Sequence, residues 1–114
     1  MIGLMRNLKI VVTGVCGRIA YSLFSPLCNG FVFGSEVEID LRLVEVAAKK
    51  QDLSVLREEL DDCCFLNVVK VTTFTDEDQE KPYIDADVVI FLGSMPRRPG
   101  MDRHEVYEIN AEIF

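Results

Sequence analysis

Apolar and polar positions along the chain switch between two periods. Residues 8–13 (LKIVVT) are β-branched and almost continuously apolar, the pattern of a strand buried on both faces of a parallel sheet, and the run stops at Gly14. Past Gly17 the period lengthens. Ile19, Leu23 and Leu27 recur every four residues, which predicts a helix presenting them on one face, with Gly30 as its carboxyl-terminal cap and Pro26 kinking its last turns. Residues 36–46 alternate Val37, Ile39, Leu41 and Leu43 with polar neighbours, predicting a second strand whose last acidic residue is Glu45. Leu53, Leu56 and Leu60 mark a helix across 53–60, and residues 68–74, rich in Val and Thr, a third strand. A charged connection with a helical turn follows at 76–83. The apolar run 87–92 predicts a fourth strand, and a last helix begins near Asp102 with Val106, Ile109 and Ile113 on one face.

No linker, repeat or low-complexity stretch interrupts this alternation of strand and helix. The pattern predicts one α/β domain: a Rossmann-type, doubly wound parallel sheet, incomplete, of about four strands with flanking helices. In the strand order 3-2-1-4-5-6 the fourth strand is interior. Without a fifth strand beside it, residues 88–92 are expected to form a long apolar edge that invites pairing with another chain.

Composition narrows the function classes. A chain of 114 residues that is 49% hydrophobic and 27% charged suits one ordinary globular domain. Nineteen acidic residues against twelve Lys and Arg give a net charge of −7, which argues against nucleic acid or an anionic membrane as partner. Cys16, Cys28, Cys63 and Cys64 show no Cys-x-x-Cys spacing and read as free thiols of a reducing cytosol. His104, the only histidine, lies forty residues from the nearest cysteine, so no metal site is expected. Residues 1–7 lack the pattern of a signal peptide and no apolar run reaches membrane-spanning length, which points to the cytoplasm.

Candidate chemistry gathers where strands end. Arg97, Arg98 and Arg103 lie on a Pro/Gly loop, GSMPRRPGMDR at 93–103, directly behind the fourth strand. Guanidinium forks grip carboxylates bidentately, so this loop reads either as a site for an anionic substrate or as a solvated basic loop. Gly14, Val15, Cys16, Gly17, Arg18, Ile19 and Ala20 join the first strand to the first helix, where free N–H groups and the helix dipole can receive a pyrophosphate. Gly14 permits a tight turn, Gly17 close approach and Ala20 close packing of helix on sheet; an ordinary strand-to-helix turn is the bland alternative. Glu45 ends the second strand, where a carboxylate accepts adenosine ribose hydroxyls and repels a 2′-phosphate, favouring NAD over NADP, or is merely a solvated charge. Lys49 and Lys50 lie just beyond, within reach of a phosphate. Asn110, on the apolar face of the last helix, is either a packing amide or a cofactor contact. Cys16 invites a redox reading because a helix amino terminus lowers a thiol pKa, although a small filler beside the cofactor fits its position better. His104 has no recognisable orienting partner in the sequence and reads as a surface residue.

Together, VTGVCGRIAYSL at 12–23, LVEV at 43–46, ELDDC at 59–63, the arginine loop and NAEIF at 110–114 resemble the cytosolic type of malate dehydrogenase, within the lactate/malate dehydrogenase family. The resemblance runs essentially end to end. It implies that 14–20 bind NAD, that Glu45 holds the adenosine ribose and that Asn110 contacts the cofactor. It also implies that Arg97 grips the distal carboxylate of malate or oxaloacetate, that Arg103 polarises the reacting carbonyl, and that the whole enzyme is a homodimer. Arg98 becomes a neighbour of the site.

This sequence departs from the family in places: Glu45 replaces a shorter Asp, and Val15-Cys16 a pair of alanines. The helix at 47–58 lacks the usual Gly and Met pattern, and Leu66-Asn67 stands near a common proline. The family's catalytic His-Asp pair and remaining substrate residues fall beyond the equivalent of Phe114. The expectation is therefore an amino-terminal, partial NAD-binding domain over 1–114, without the catalytic carboxyl-terminal domain and inactive alone. A non-catalytic NAD-binding module or sensor of the same descent is the alternative. The opening turn is also similar to that of short-chain reductases, but their Tyr-x-x-x-Lys pair is absent, since Ala111 stands four residues after Tyr107.

Overall fold

Alternation along the second strand decides how the molecule is layered. In the computed structural model, which describes residues 6–93 and 99–113, Val37, Ile39, Leu41 and Leu43 are buried on one face of β2 (Val37–Glu45), while Glu38, Asp40 and Arg42 are half-buried on the other. Side chains of a strand point alternately to opposite faces, so the period-two pattern separates an apolar helix-bearing face from a polar one. The other strands are β1 (Arg6–Thr13), β3 (Val68–Thr75) and β4 (Val88–Phe91). All pairings are parallel and the order is β3-β2-β1-β4, the first four positions of the predicted doubly wound sheet.

Two helices cover the apolar face. α1 (Arg18–Cys28) and α2 (Lys50–Asp62) pack Phe24, Leu27, Leu53, Leu56 and Leu60 against Ile10, Ile39 and Leu41 of the sheet. α2 buries the three leucines read from its spacing. α1 does not bury all of its expected stripe: Ile19 is 72% exposed, and the helix seats Ala20, Phe24, Leu27 and Cys28 instead. Residues four apart advance about 40° beyond a full turn at each step, so a stripe built only of fourth residues winds off the face, meeting it here at Leu27.

The end of α1 is locally specified. Asn29 caps the helix, Gly30 takes φ +86°, and the Phe31 N–H donates to the Pro26 carbonyl at 3.1 Å, closing a Schellman motif around the expected glycine. The long connection that follows is fastened by Asn67, 7% exposed, whose side-chain amide donates to the carbonyls of Gly34, Ser35 and Val37.

On the polar face, the Arg42 guanidinium donates to the carbonyls of Pro82 (2.9 Å) and Ile84, tying down a connection that contains 3₁₀ turns at Asp76–Asp78 and Lys81–Tyr83. β4 is registered on β1 at its entrance: the Lys9 N–H donates to the Asp87 carboxylate, and the Asp87 N–H to the Lys9 carbonyl, both at 2.8 Å. α3 (Arg103–Ile113) closes the described chain. The predicted face of Val106, Ile109 and Ile113 involves side chains outside the described residues. Among the described residues no helix is long and apolar enough to cross a membrane.

Candidate functional site

Because β1, β2 and β4 are parallel and neighbouring, their carboxyl ends (Thr13, Glu45 and Phe91) open on one edge of the sheet. In open α/β sheets ligands bind in the crevice outside those ends. Gly14 leaves β1 at φ +66° and its N–H donates to the Val44 carbonyl at 3.0 Å, anchoring the turn to β2. On the other side it lies against the exit of β4: a Cβ on Gly14 would stand 2.4 Å from both Cα and N of Gly93. The Gly17 N–H then donates to the Gly14 carbonyl at 3.2 Å and α1 begins at Arg18.

Thr13 binds the turn to the root of the arginine loop. Its hydroxyl oxygen accepts the N–H groups of Leu92 (3.2 Å) and Gly93 (3.3 Å) from a position only 9% exposed. In the sequence Thr13 is only the end of the first strand and the head of the turn; the fold reveals what its hydroxyl holds. Its signal is a hydroxyl at the last position of a strand otherwise filled with apolar side chains.

Glu45 is buried rather than solvated, at 8% exposure. Its Oε2 accepts the Cys16 N–H at 3.0 Å and its Oε1 the Val46 N–H at 2.9 Å, so the carboxylate bridges the end of β2 and the glycine turn. A carboxylate has about four lone-pair sites, so these two N–H groups and the Cys16 thiol leave room for a further donor. Val15 is 1% exposed and Ala20 fully buried, so the turn and the start of α1 press closely on the sheet. Arg18 and Ile19 are exposed at the helix start, which has no side-chain cap and no acidic residue in its first turn. Its leading N–H groups and positive dipole end are thereby left to an external anion. Buried acceptor, uncapped helix and small-residue turn together fit a dinucleotide.

Cys16 agrees with the small-filler reading and not with the redox one. Burial, with the nearby carboxylates of Glu45 and Asp52, pushes its thiol up to about 11, in spite of the helix terminus and Lys49. Its side chain packs against the core, and the raised thiol is the opposite of the lowered one that a reactive cysteine requires. Cys28 is pushed up to about 12 by burial, with Cys63 adding to the effect. His104 does have a partner, Glu108, at 3.0 Å, but the side chains are 75% and 65% exposed and the pair decorates α3.

Of the arginines predicted as candidates on the loop, Arg103 stands exposed as the first residue of α3. Arg97 and Arg98 lie outside the described residues, as does the side chain of Asn110.

A fold of this order with such a crevice defines a dinucleotide-binding domain. The sequence places it further: residues 8–114 match the NAD-binding domain of lactate/malate dehydrogenases, and the chain belongs to that family. It is 40% identical over 113 residues to malate dehydrogenase of Chlamydia caviae, covering 97% of this chain and 33% of the relative. It is also 40% identical over 107 residues to cytoplasmic malate dehydrogenase of Bos taurus, covering 94% and 31%. Its structure superposes on malate dehydrogenase of Naegleria fowleri with a TM-score of 0.85 and 36% identity, over 97% of this chain and 33% of that one. The chain spans about a third of the length of these relatives.

Proposed function

We propose that this chain is the cofactor-binding part of an NAD-dependent malate dehydrogenase. The observation that carries this reading is the buried Glu45 carboxylate, held by two N–H donors at the end of β2 beside the glycine turn. Two fixed acceptor oxygens suit the vicinal hydroxyls of an adenosine ribose, and their charge opposes the 2′-phosphate of NADP. The first-turn N–H groups of Arg18 and Ile19 would hold the pyrophosphate, and the exposed Arg18 guanidinium would add a positive charge to that end of the helix. Gly14, Val15, Cys16, Gly17 and Ala20 supply the close-packed floor, and Asn110 adds a polar contact. NAD held there would supply the acceptor for the hydride leaving the substrate carbinol carbon, and NADH the donor for the carbonyl carbon in the reverse direction.

On the substrate side the proposal assigns Arg97 to the distal carboxylate of malate or oxaloacetate. Arg103 faces the reacting oxygen, where a fixed cation stabilises the negative charge that develops as hydride arrives. The acid/base that moves the substrate proton belongs to the portion of the family enzymes that this chain does not span. The same resemblance carries the expectation of a cytoplasmic homodimer that engages neither nucleic acid nor membrane.

Calorimetric titration with NAD and NADP tests the cofactor assignment. NAD should bind more tightly, and Glu45→Ala should weaken it; equal or tighter binding of NADP, or unaltered NAD binding in the variant, refutes the role of Glu45. In the whole enzyme carrying this domain, Arg97→Gln should impair oxaloacetate turnover far more than pyruvate turnover, whereas Arg103→Gln should impair both. Equal losses for both substrates on changing Arg97 would remove the dicarboxylate assignment.

A further inference from the structure

Glu45 performs a second task that a ribose acceptor does not require. Its two oxygens are engaged by N–H groups from two different segments: Cys16 in the β1–α1 turn and Val46 at the exit of β2. One carboxylate therefore links the β1–α1 turn to the end of β2, beside the backbone bond from Gly14 to Val44. The Cys16 N–H has no carbonyl partner, whereas the flanking bonds of the turn run from Gly14 to Val44 and from Gly17 to Gly14. In the middle of the turn, next to the buried Val15, the Cys16 N–H is thus hydrogen-bonded to the sheet through a side chain. Reach matters here. Aspartate is shorter by one methylene, about 1.5 Å along the chain, and a 3.0 Å contact lengthened by most of that is no longer a hydrogen bond. The Cys16 thiol lies against the same carboxylate, consistent with a tightly drawn turn.

We propose that Glu45 is a positioning residue of the dinucleotide site, tethering the glycine turn through the Cys16 N–H so that the pyrophosphate-facing N–H groups are ordered before the nucleotide arrives. The inference rests on the cofactor reading above and adds to it. Part of the affinity contributed by Glu45 should not depend on ribose hydroxyls, because a preformed turn loses less conformational freedom on binding. Glutamine keeps the length but offers one acceptor oxygen for two N–H donors. Aspartate keeps the charge and gives up the reach.

The experiment compares the 114-residue chain with its Glu45→Gln and Glu45→Asp variants by two measurements. The first is amide hydrogen exchange without nucleotide, checked for folding at the buried β1 and β2 amides. The Cys16 and Gly17 amides should exchange roughly tenfold faster or more in both variants while the strand amides keep their protection. The second is calorimetric binding of NAD and of an NAD analogue whose adenosine ribose is 2′,3′-dideoxy. The tether predicts that both variants bind the dideoxy analogue more weakly than wild type, by roughly tenfold, and that Glu45→Asp still prefers NAD over the analogue. Unchanged Cys16 exchange in both variants overturns the tether, as does a dideoxy analogue bound equally by wild type and Glu45→Asp. Wild-type protein that binds NAD and the analogue equally overturns the ribose reading instead, and amide exchange then decides the tether alone.

Discussion

Substituting alanine for Gly14 tests the geometry on which the crevice depends. Gly14 sits at φ +66°, where an L-residue with a Cβ is disfavoured by about 1–2 kcal/mol. The new carbon would also meet Gly93 Cα and N at 2.4 Å and the Leu92 carbonyl carbon at 2.8 Å. All three are backbone atoms held by the Thr13 clamp, so the exits of β1 and β4 must separate. Overpacking of this kind costs about 1–3 kcal/mol, which brings the total to roughly 2–5 kcal/mol. A typical domain has about 5–15 kcal/mol of stability in all, so this loss is a large share.

Urea unfolding followed by circular dichroism reads the effect as a lower midpoint at unchanged slope. Gly17→Ala is the internal control. Gly17 has no positive φ, and its added Cβ would meet only the Gly14 carbonyl oxygen at 3.3 Å, so its loss should stay under about 1 kcal/mol. Equal midpoints for the two variants would show that the approach of Gly14 to Gly93 does not govern the turn.

Thr13→Val keeps the shape but removes the hydroxyl acceptor of the Gly93 N–H, while the Leu92 N–H keeps its bond to the Thr13 carbonyl at 3.3 Å; it should cost about 1–3 kcal/mol in the same assay, with Thr13→Ser restoring most of it. Asn67→Ala strips side-chain donors from three carbonyls and should accelerate amide exchange around residues 34–37 before it affects β1, an order that uniform acceleration would contradict. The thiols of Cys16 and Cys28 are raised from 9.0 to about 11 and about 12, so their stabilisation is complete below pH 9. It is lost as pH climbs through the folded values, because the unfolded chain releases these protons first; the urea midpoint should fall above pH 9, less steeply in Cys28→Ala, and a flat profile would contradict the burial. Iodoacetamide at pH 8 should label exposed Cys63 and Cys64 well before Cys16 and Cys28, and early loss of the Cys16 thiol would restore its redox reading.

What could be read from the sequence followed the range of the interactions. The strands were legible because continuous β-branched runs and the period-two pattern of β2 are local signals, and the parallel order followed from strands alternating with helices. The buried face of α1 was misassigned at Ile19 because a list of fourth residues ignores the drift of a 3.6-residue helix; Ala20, small and easily passed over, is the residue against the sheet. The importance of Asn67 was hidden because its acceptors lie thirty or more residues away. Position alone singled out Glu45, but not the donors on its oxygens, since one of them is 29 residues distant. For Cys16 the sequence offers the helix terminus, which lowers a thiol pKa; burial and two carboxylates, visible only in the fold, act in the opposite direction and prevail.

The glycine turn is held from two neighbouring strands as well as by its own bonds. Backbone ties it to β2 through Gly14 and Val44, steric contact and the Thr13 hydroxyl fix it against the exit of β4, and the Glu45 carboxylate holds its centre. A loop so constrained has little freedom left to lose, which is the condition under which a few N–H groups can bind a pyrophosphate usefully in competition with water. The same constraints link two halves of the proposed site. Thr13 is both the last residue before the glycine turn and the acceptor for Gly93, where the arginine loop begins, so a shift in the turn is passed to the root of that loop through the Thr13 hydroxyl and the Gly14–Gly93 contact. Gly14 and Gly93 therefore need to be small for a shared reason: the two loops leave adjacent parallel strands at nearly the same point, and a side chain on Gly14 would separate the cofactor turn from the loop proposed to carry the substrate arginines.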